Sequence, residues 1–254
     1  MMRLHILELV GFSAYAELRA ERARSYLGFV WWLLDPALQM AIYYFIFAVV
    51  LKASTPDFVP FLLVGLTVWQ WFKSCVSHGG YAIWLNLAVI RQVRVPAAVF
   101  PSVQILADTV KFLFIFALLV VILWFSGHVP GITYFALPVV FAAILVFATA
   151  SAYFVAAIMP LLPDLRFIIE QLLMMMMLVS GVVFSIRDVQ PPLRQILDLN
   201  PMVELLDAVR GILMHDAWPD WIGLFRVAAI SALFYALALL LIARLTPRYV
   251  KLPS

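Results

Sequence analysis

The chain has 254 residues, 66% of them apolar and only 12% charged, with a formal net charge of +3. Soluble domains are about half apolar and a quarter charged, so this composition excludes a soluble globular fold and leaves an integral membrane protein. Its 17 basic residues are spread along the chain rather than gathered on one face, which excludes a nucleic-acid-binding surface.

Residues 1–34 read as an interface segment. Glu8, Glu17 and Glu21 alternate with arginines and no continuous apolar stretch forms, so a cleavable signal peptide is not expected. Leu4, Leu7, Val10, Gly11, Ala14 and Leu18 instead recur at three- and four-residue spacing, which predicts an amphipathic helix lying in the membrane interface. Trp31 and Trp32 follow, at the depth where indoles prefer the headgroup boundary. Asp35 before Pro36 is a helix-start pair, a capping carboxylate ahead of a residue suited to the first turn, and predicts that the first spanning helix begins there.

Six apolar runs approach the 20 or so residues that cross a hydrocarbon core: roughly 36–52, 58–77, 103–125, 132–158, 167–184 and 222–243. The predicted fold is an all-α membrane protein with six transmembrane helices in one domain over 1–254, the fourth long enough to be tilted or to bend near Pro138. Six spans place both termini on one side. Arg3, Arg19, Arg22, Arg24, Arg91, Arg94, Arg166, Arg244, Arg248 and Lys251 share that side, against Lys52, Arg187, Arg194 and Arg210 opposite, so the positive-inside bias predicts cytoplasmic termini.

Two connections exceed what joining helices requires. In the cytoplasmic one, 78–102, Gly79-Gly80 is expected to end a helix, a short amphipathic stretch carries Arg91 and Arg94, and Pro96 and Pro101 block continuation into the next span. The external one, 185–221, contains Pro191-Pro192, Asn200-Pro201 and Pro219 around two short helical stretches, 192–199 and 201–215. Asn200 as N-cap and Pro201 as first residue would set the angle between them. Such segments at membrane depth need protein or a water-filled cavity over them, so this one predicts a lid over a pathway.

Catalytic apparatus is missing from the sequence. His5, His78, His128 and His215 are scattered, Cys75 is the sole cysteine, and neither H-E-x-x-H nor G-x-S-x-G occurs. No metal site and no cofactor of its own are expected. The phosphate-cradling loop G-x-x-x-x-G-K-[ST] is also absent, so ATP-driven work would fall to another chain. Among charges in apolar runs, Asp108 and Lys111 at i,i+3 and Arg166 and Glu170 at i,i+4 are spaced to neutralise one another as structural pairs, with a relay as the alternative. Met174 to Met177 cannot all share one face, and packing is the simplest role for most of them, with one or two available to a dimer seam.

Four motifs in register with these spans carry a resemblance. LGFVWWLLDPALQMAIYYFIF, starting at residue 27, resembles the LGxLWxxLxPxxxxxxYxxxF opening of ABC-2-type permeases that export lipid-linked polysaccharides, such as O-antigen and teichoic acid transporters. NLAVIRQVRVPAAVFPS at 86–102 is similar to that family's NxxLIRKVxFPxxxxP loop, with Gln92 in place of the usual lysine. PDLRF at 163–167 falls where the family has an Arg-Asp pair, Pro163 replacing the basic residue, and LNPM at 199–202 matches its external Asn-Pro step.

The resemblance implies a homodimeric permease of the bacterial inner membrane that binds two copies of a separate ATPase, which would hold ATP and Mg. It implies a coupling helix within 84–97 bearing Trp84, Asn86, Arg91 and Arg94, with Asp164 and Arg166 near the same surface. Pro191, Asn200 and Pro201 would belong to an external gate. The substrate would be a long glycan on an undecaprenyl pyrophosphate carrier, and Tyr43, Tyr44, Phe47 and Phe184 are candidates to stack on its sugars, lipid contact or packing being the alternative for each. The other readings are an exporter of small amphipathic compounds or drugs and, further off, a membrane enzyme or channel. Neighbouring genes for glycosyltransferases and an ATPase would favour the glycan.

Overall fold

Helices follow the apolar runs, but backbone hydrogen bonding rather than hydropathy sets where they start and stop. The computed structural model describes residues 2–24, 30–50, 57–92, 95–186 and 189–249, with only the backbone at 2–7, 22–24, 32, 33, 35, 36, 40, 43, 44 and 47–49. In chain order the elements are α1 (Met2–Arg24), α2 (Val30–Tyr44) continuing as a π-helical stretch (Phe45–Val50), α3 (Phe58–Leu85), α4 (Leu87–Gln92) and α5 (Val99–Phe125). A 3₁₀ turn (Ile132–Ala136), α6 (Leu137–Ile158), α7 (Leu165–Val179), α8 (Leu193–Leu197), α9 (Pro201–His215) and α10 (Trp221–Tyr249) follow. Among the described residues there is no strand.

The helices Phe58–Leu85, Val99–Phe125, Ile132–Ile158 and Trp221–Tyr249 are long and apolar enough to cross a membrane, which makes the chain a multi-pass membrane protein. The helices at the two other predicted spans are shorter. Val30–Val50 is a single helical run of about 30 Å, whereas α7 is about 22 Å long and stops at Val179, short of the predicted 184. The stop follows from Gly181, whose φ of +70° lies in the left-handed region and turns the chain off the helix axis.

Three predicted boundaries are corrected. Asp35-Pro36 does not start the first span; it lies inside α2, which begins at Val30, because one proline near a helix start forfeits a single backbone bond while the apolar residues ahead of it extend the turn. Gly79-Gly80 does not end a helix, since α3 runs on to Leu85. These glycines serve packing: a Cβ on Gly80 would lie 2.6 Å from Val155 Cγ1, and one on Gly79 3.0 Å from Ile105. Pro101 does not block α5 either. It occupies the first turn, where its missing N–H has no helical partner to lose, and only Pro96 stands ahead of the helix. Ahead of Pro138 the chain passes from the 3₁₀ turn into α6, with Pro138 in that helix's first turn.

The core forms where α3, α5 and α6 meet. Trp71 stacks on Phe112 at 4.0 Å between centroids, and Phe141 meets the Phe112 ring edge-on at 5.1 Å. α10 lies along α6, and its last turn is tied down by Tyr249, whose hydroxyl donates to the Ala157 carbonyl at 2.6 Å. The α1 stripe packs Val10, Ala14 and Leu18 against Val99, Val103 and Ala107 of α5, while Phe12 and Tyr15 remain exposed. The methionine run divides as its geometry requires: Met174 and Met175 point outward, Met176 and Met177 inward.

Candidate functional site

Chemistry-bearing residues gather in three places. At one end of the molecule, α3 finishes beside the start of α7. Tyr81 donates to Glu170 Oε1 at 2.9 Å and lies 3.5 Å from the Arg166 carbonyl, and Ser77 donates to Glu170 at 3.0 Å. The predicted Arg166–Glu170 pair is therefore not formed, because Glu170 turns to two hydroxyls of α3 while the Arg166 guanidinium lies 5.1 Å from its neighbour Phe167's ring centroid. One turn beyond Tyr81, Trp84 packs on the core and Asn86 caps α3, its Nδ2 donating to the Ala82 carbonyl at 2.8 Å. In α4, Ile90 is buried and Arg91 half-buried, and Arg94 lies outside the described residues. Leu85, Val89, Leu162, Asp164, Arg166 and Phe167 are exposed, so apolar and charged side chains share this surface.

The opposite end carries the segment 185–221. Its two short helices stand where the sequence puts them, as α8 and α9. Asn200 caps α9, its Oδ1 accepting the Met202 N–H at 3.0 Å, and Pro201 opens the helix. Asn200 also donates to Ser180 Oγ at 2.8 Å, linking the cap to the end of α7. Pro191 is exposed, and Phe184 is half-buried against Ile186, Leu197 and Val203 beneath the segment. The side chains of Tyr43, Tyr44 and Phe47 lie outside the described residues.

α9 is no surface cap. Met202, Leu205, Leu206, Val209, Ile212 and Leu213 are buried against α3 and α6. Its far end meets the 3₁₀ turn just ahead of α6, where Thr133 donates to Asp216 at 2.6 Å. Its near end, at Pro201, borders a groove with Phe147 and Ser151, about 15 Å along α6 from that helix's start. The segment thus dips well into the helix bundle.

Arg210 holds it there. Only 5% exposed, its guanidinium donates to the Gly181 carbonyl at 2.7 Å, to Val182 at 2.8 Å and to Phe61 at 3.3 Å, and it covers the Phe61 ring at 3.5 Å from the centroid. Burial works against the charge, and carbonyls just past the C-terminal, negative end of α7 answer it. Gly65 makes room, since a Cβ there would overlap the guanidinium. The sequence treats Arg210 only as one external cation, yet it stands among Leu205, Leu206, Val209, Ile212 and Leu213, and an arginine on an apolar face was the available signal.

The third place is a polar cluster between α1, α3 and α5. Asp108, 3% exposed, pairs with Lys111 at 3.4 Å as predicted, and it also accepts from His78 Nδ1 at 2.9 Å. Lys111 reaches on to Glu21 of α1. The pair is therefore a chain of four side chains from three helices. A signal existed here too, because Thr67, Gln70, Ser74 and His78 recur at helical spacing as a polar stripe in an apolar helix.

Residues 12–214 match the model of the family described as ABC-2 type transporter. The chain belongs to the ABC-2 type transporter family. Over 217 residues it is 33% identical to the O-antigen export system permease protein RfbA of Myxococcus xanthus, covering 85% of this chain and 84% of that protein. A protein of the same name from Klebsiella pneumoniae is 23% identical over 83% of this chain and 82% of its own length. The polysialic acid transport protein KpsM of Escherichia coli is 23% identical over 88% of both.

Proposed function

We propose that this chain is the membrane permease subunit of an ATP-driven exporter that moves lipid-linked polysaccharide out across the bacterial inner membrane. The carrying observation is the 33% identity, over most of both chains, to an O-antigen export permease. Val30–Val50 and α7 complete six spans with cytoplasmic termini, and a second copy of the chain closes the pathway. A separate ATPase, two copies per dimer, docks at the α4 end and supplies ATP hydrolysis. Exposed Leu85, Val89 and Phe167 give that surface apolar contact, and Arg91, Asp164 and Arg166 give it charge, the mixture that protein interfaces use; Arg94, outside the described residues, is assigned to it from the sequence. Trp84 and Asn86 fix the start of α4. At the other end the segment bearing Pro191, Asn200 and Pro201 gates the exit, and Tyr43, Tyr44, Phe47 and Phe184 offer rings to passing sugars.

The test is complementation of a permease-deleted O-antigen strain with this chain and its ATPase, read as surface glycan. Restoration supports the reading; expulsion of small amphipathic compounds without restored glycan would replace it with the small-molecule alternative. Arg91→Glu with Arg94→Glu should release the ATPase or uncouple hydrolysis from export while membrane insertion persists. Normal complex formation and normal export in that double variant would reduce both arginines to topology.

A further inference from the structure

The polar chain Glu21–Lys111–Asp108–His78 borders a cavity of about 220 Å³ that the foregoing roles leave without an occupant. Its walls combine two kinds of surface. Trp31, half exposed, lines it from α2, while Gln70, Ser74 and His78 line the α3 side and Asp108 and Lys111 the α5 side. Deeper in the wall Trp71 is buried on Phe112 and adds rigidity rather than an open ring.

The charge balance selects the ligand. Glu21 and Asp108 face Lys111 and His78, so no net positive field awaits a phosphate or diphosphate, and two carboxylates would repel one. A cationic ligand would meet the Lys111 ammonium in the same wall. What suits an aromatic face beside hydroxyl, amide and carboxylate groups is a neutral polyhydroxylated ring, whose C–H face stacks on the indole while its hydroxyls bond to the polar stripe. Ionisable groups within membrane helices are costly to keep, which argues for use. We infer that this cavity is a subsite for a single sugar residue, with Trp31 as its stacking platform and Ser74 and His78 as hydroxyl partners. The inference rests on the glycan-export reading for its biological ligand, but not for the binding itself.

The experiment uses the purified chain with its ATPase in a non-glycosidic detergent and a panel of methyl glycopyranosides as probes, read by saturation-transfer NMR on the ring protons. Transfer is expected with wild type, largely retained in Trp31→Phe, and lost in Trp31→Ala and in Ser74→Leu, which fills the cavity. Trp31→Ala should also cut surface glycan about tenfold with ATPase binding unchanged. Transfer that persists in both Trp31→Ala and Ser74→Leu, or no transfer with wild type to any probe, overturns the subsite. If wild type restores surface glycan but shows no transfer, the export reading stands and the subsite falls. If it shows Trp31-dependent transfer but restores no glycan, the subsite stands and the export reading falls.

Discussion

Replacing Arg210 with methionine will free the external segment from the bundle without unfolding the protein. The methionine fills most of the vacated volume, so the loss is chiefly that of the guanidinium's bonds to Gly181 and Val182, at 2.7 and 2.8 Å and buried. Each stranded carbonyl costs about 1–3 kcal/mol, and removing the buried charge returns part of the desolvation penalty, so the net loss is about 3 kcal/mol. At 1.4 kcal/mol per factor of ten, local opening should become roughly a hundredfold more frequent. A cysteine in place of buried Val183, in a Cys75→Ser background, reports that opening through its rate of reaction with a water-soluble thiol reagent. The labelling rate should rise by about the same factor in Arg210→Met. Arg210→Lys should recover little, because one ammonium cannot reproduce the fork that reaches three carbonyls. A change under about threefold, with wild-type global stability, would show that apolar packing of α9 alone holds the segment.

The other expectations are smaller or simpler to read. Asn200→Ala removes the α9 cap and its link to Ser180, a loss of about 1 kcal/mol that should speed labelling at Val183→Cys about fivefold, and with Pro201→Gly it should leak small solutes or reduce surface glycan. Unchanged permeability and glycan in that double variant would make the segment an inert cap. Gly80→Ala should lower thermal stability in detergent by about 1–3 kcal/mol through collision with Val155, and Val155→Ala should restore it; destabilisation without rescue would place the strain elsewhere. In Cys75→Ser spheroplasts, single cysteines at Asp57 and Asp198 should react with an impermeant reagent and one at Arg91 should not, and the reverse pattern would invert the topology.

What the sequence made legible was what local chemistry decides. The α9 boundaries, its Asn200 cap and its Pro201 start all follow from residues that fix their own backbone. Gly79-Gly80 misled because glycine has two uses, ending a helix or letting another approach, and only the positions of Val155 and Ile105 show which applies. Glu170 misled for a similar reason: Arg166 is its neighbour at i,i+4, but Ser77 and Tyr81 come from 93 and 89 positions away in the chain. The Arg210 site drew on carbonyls of Phe61, Gly181 and Val182, backbone groups that carry no signature in the sequence.

α3 joins the two ends of the molecule as one unbroken rod. From Phe58 to Leu85 it is about 42 Å long. Near one tip Phe61 and Gly65 seat Arg210, and the other tip runs directly into α4. Pivoted at one tip, such a rod displaces the other by about 4 Å for every 5° of tilt. A push at the α4 surface that tilted this rod would reach the distant segment as leverage, with Arg210 as the pin on which the lever bears.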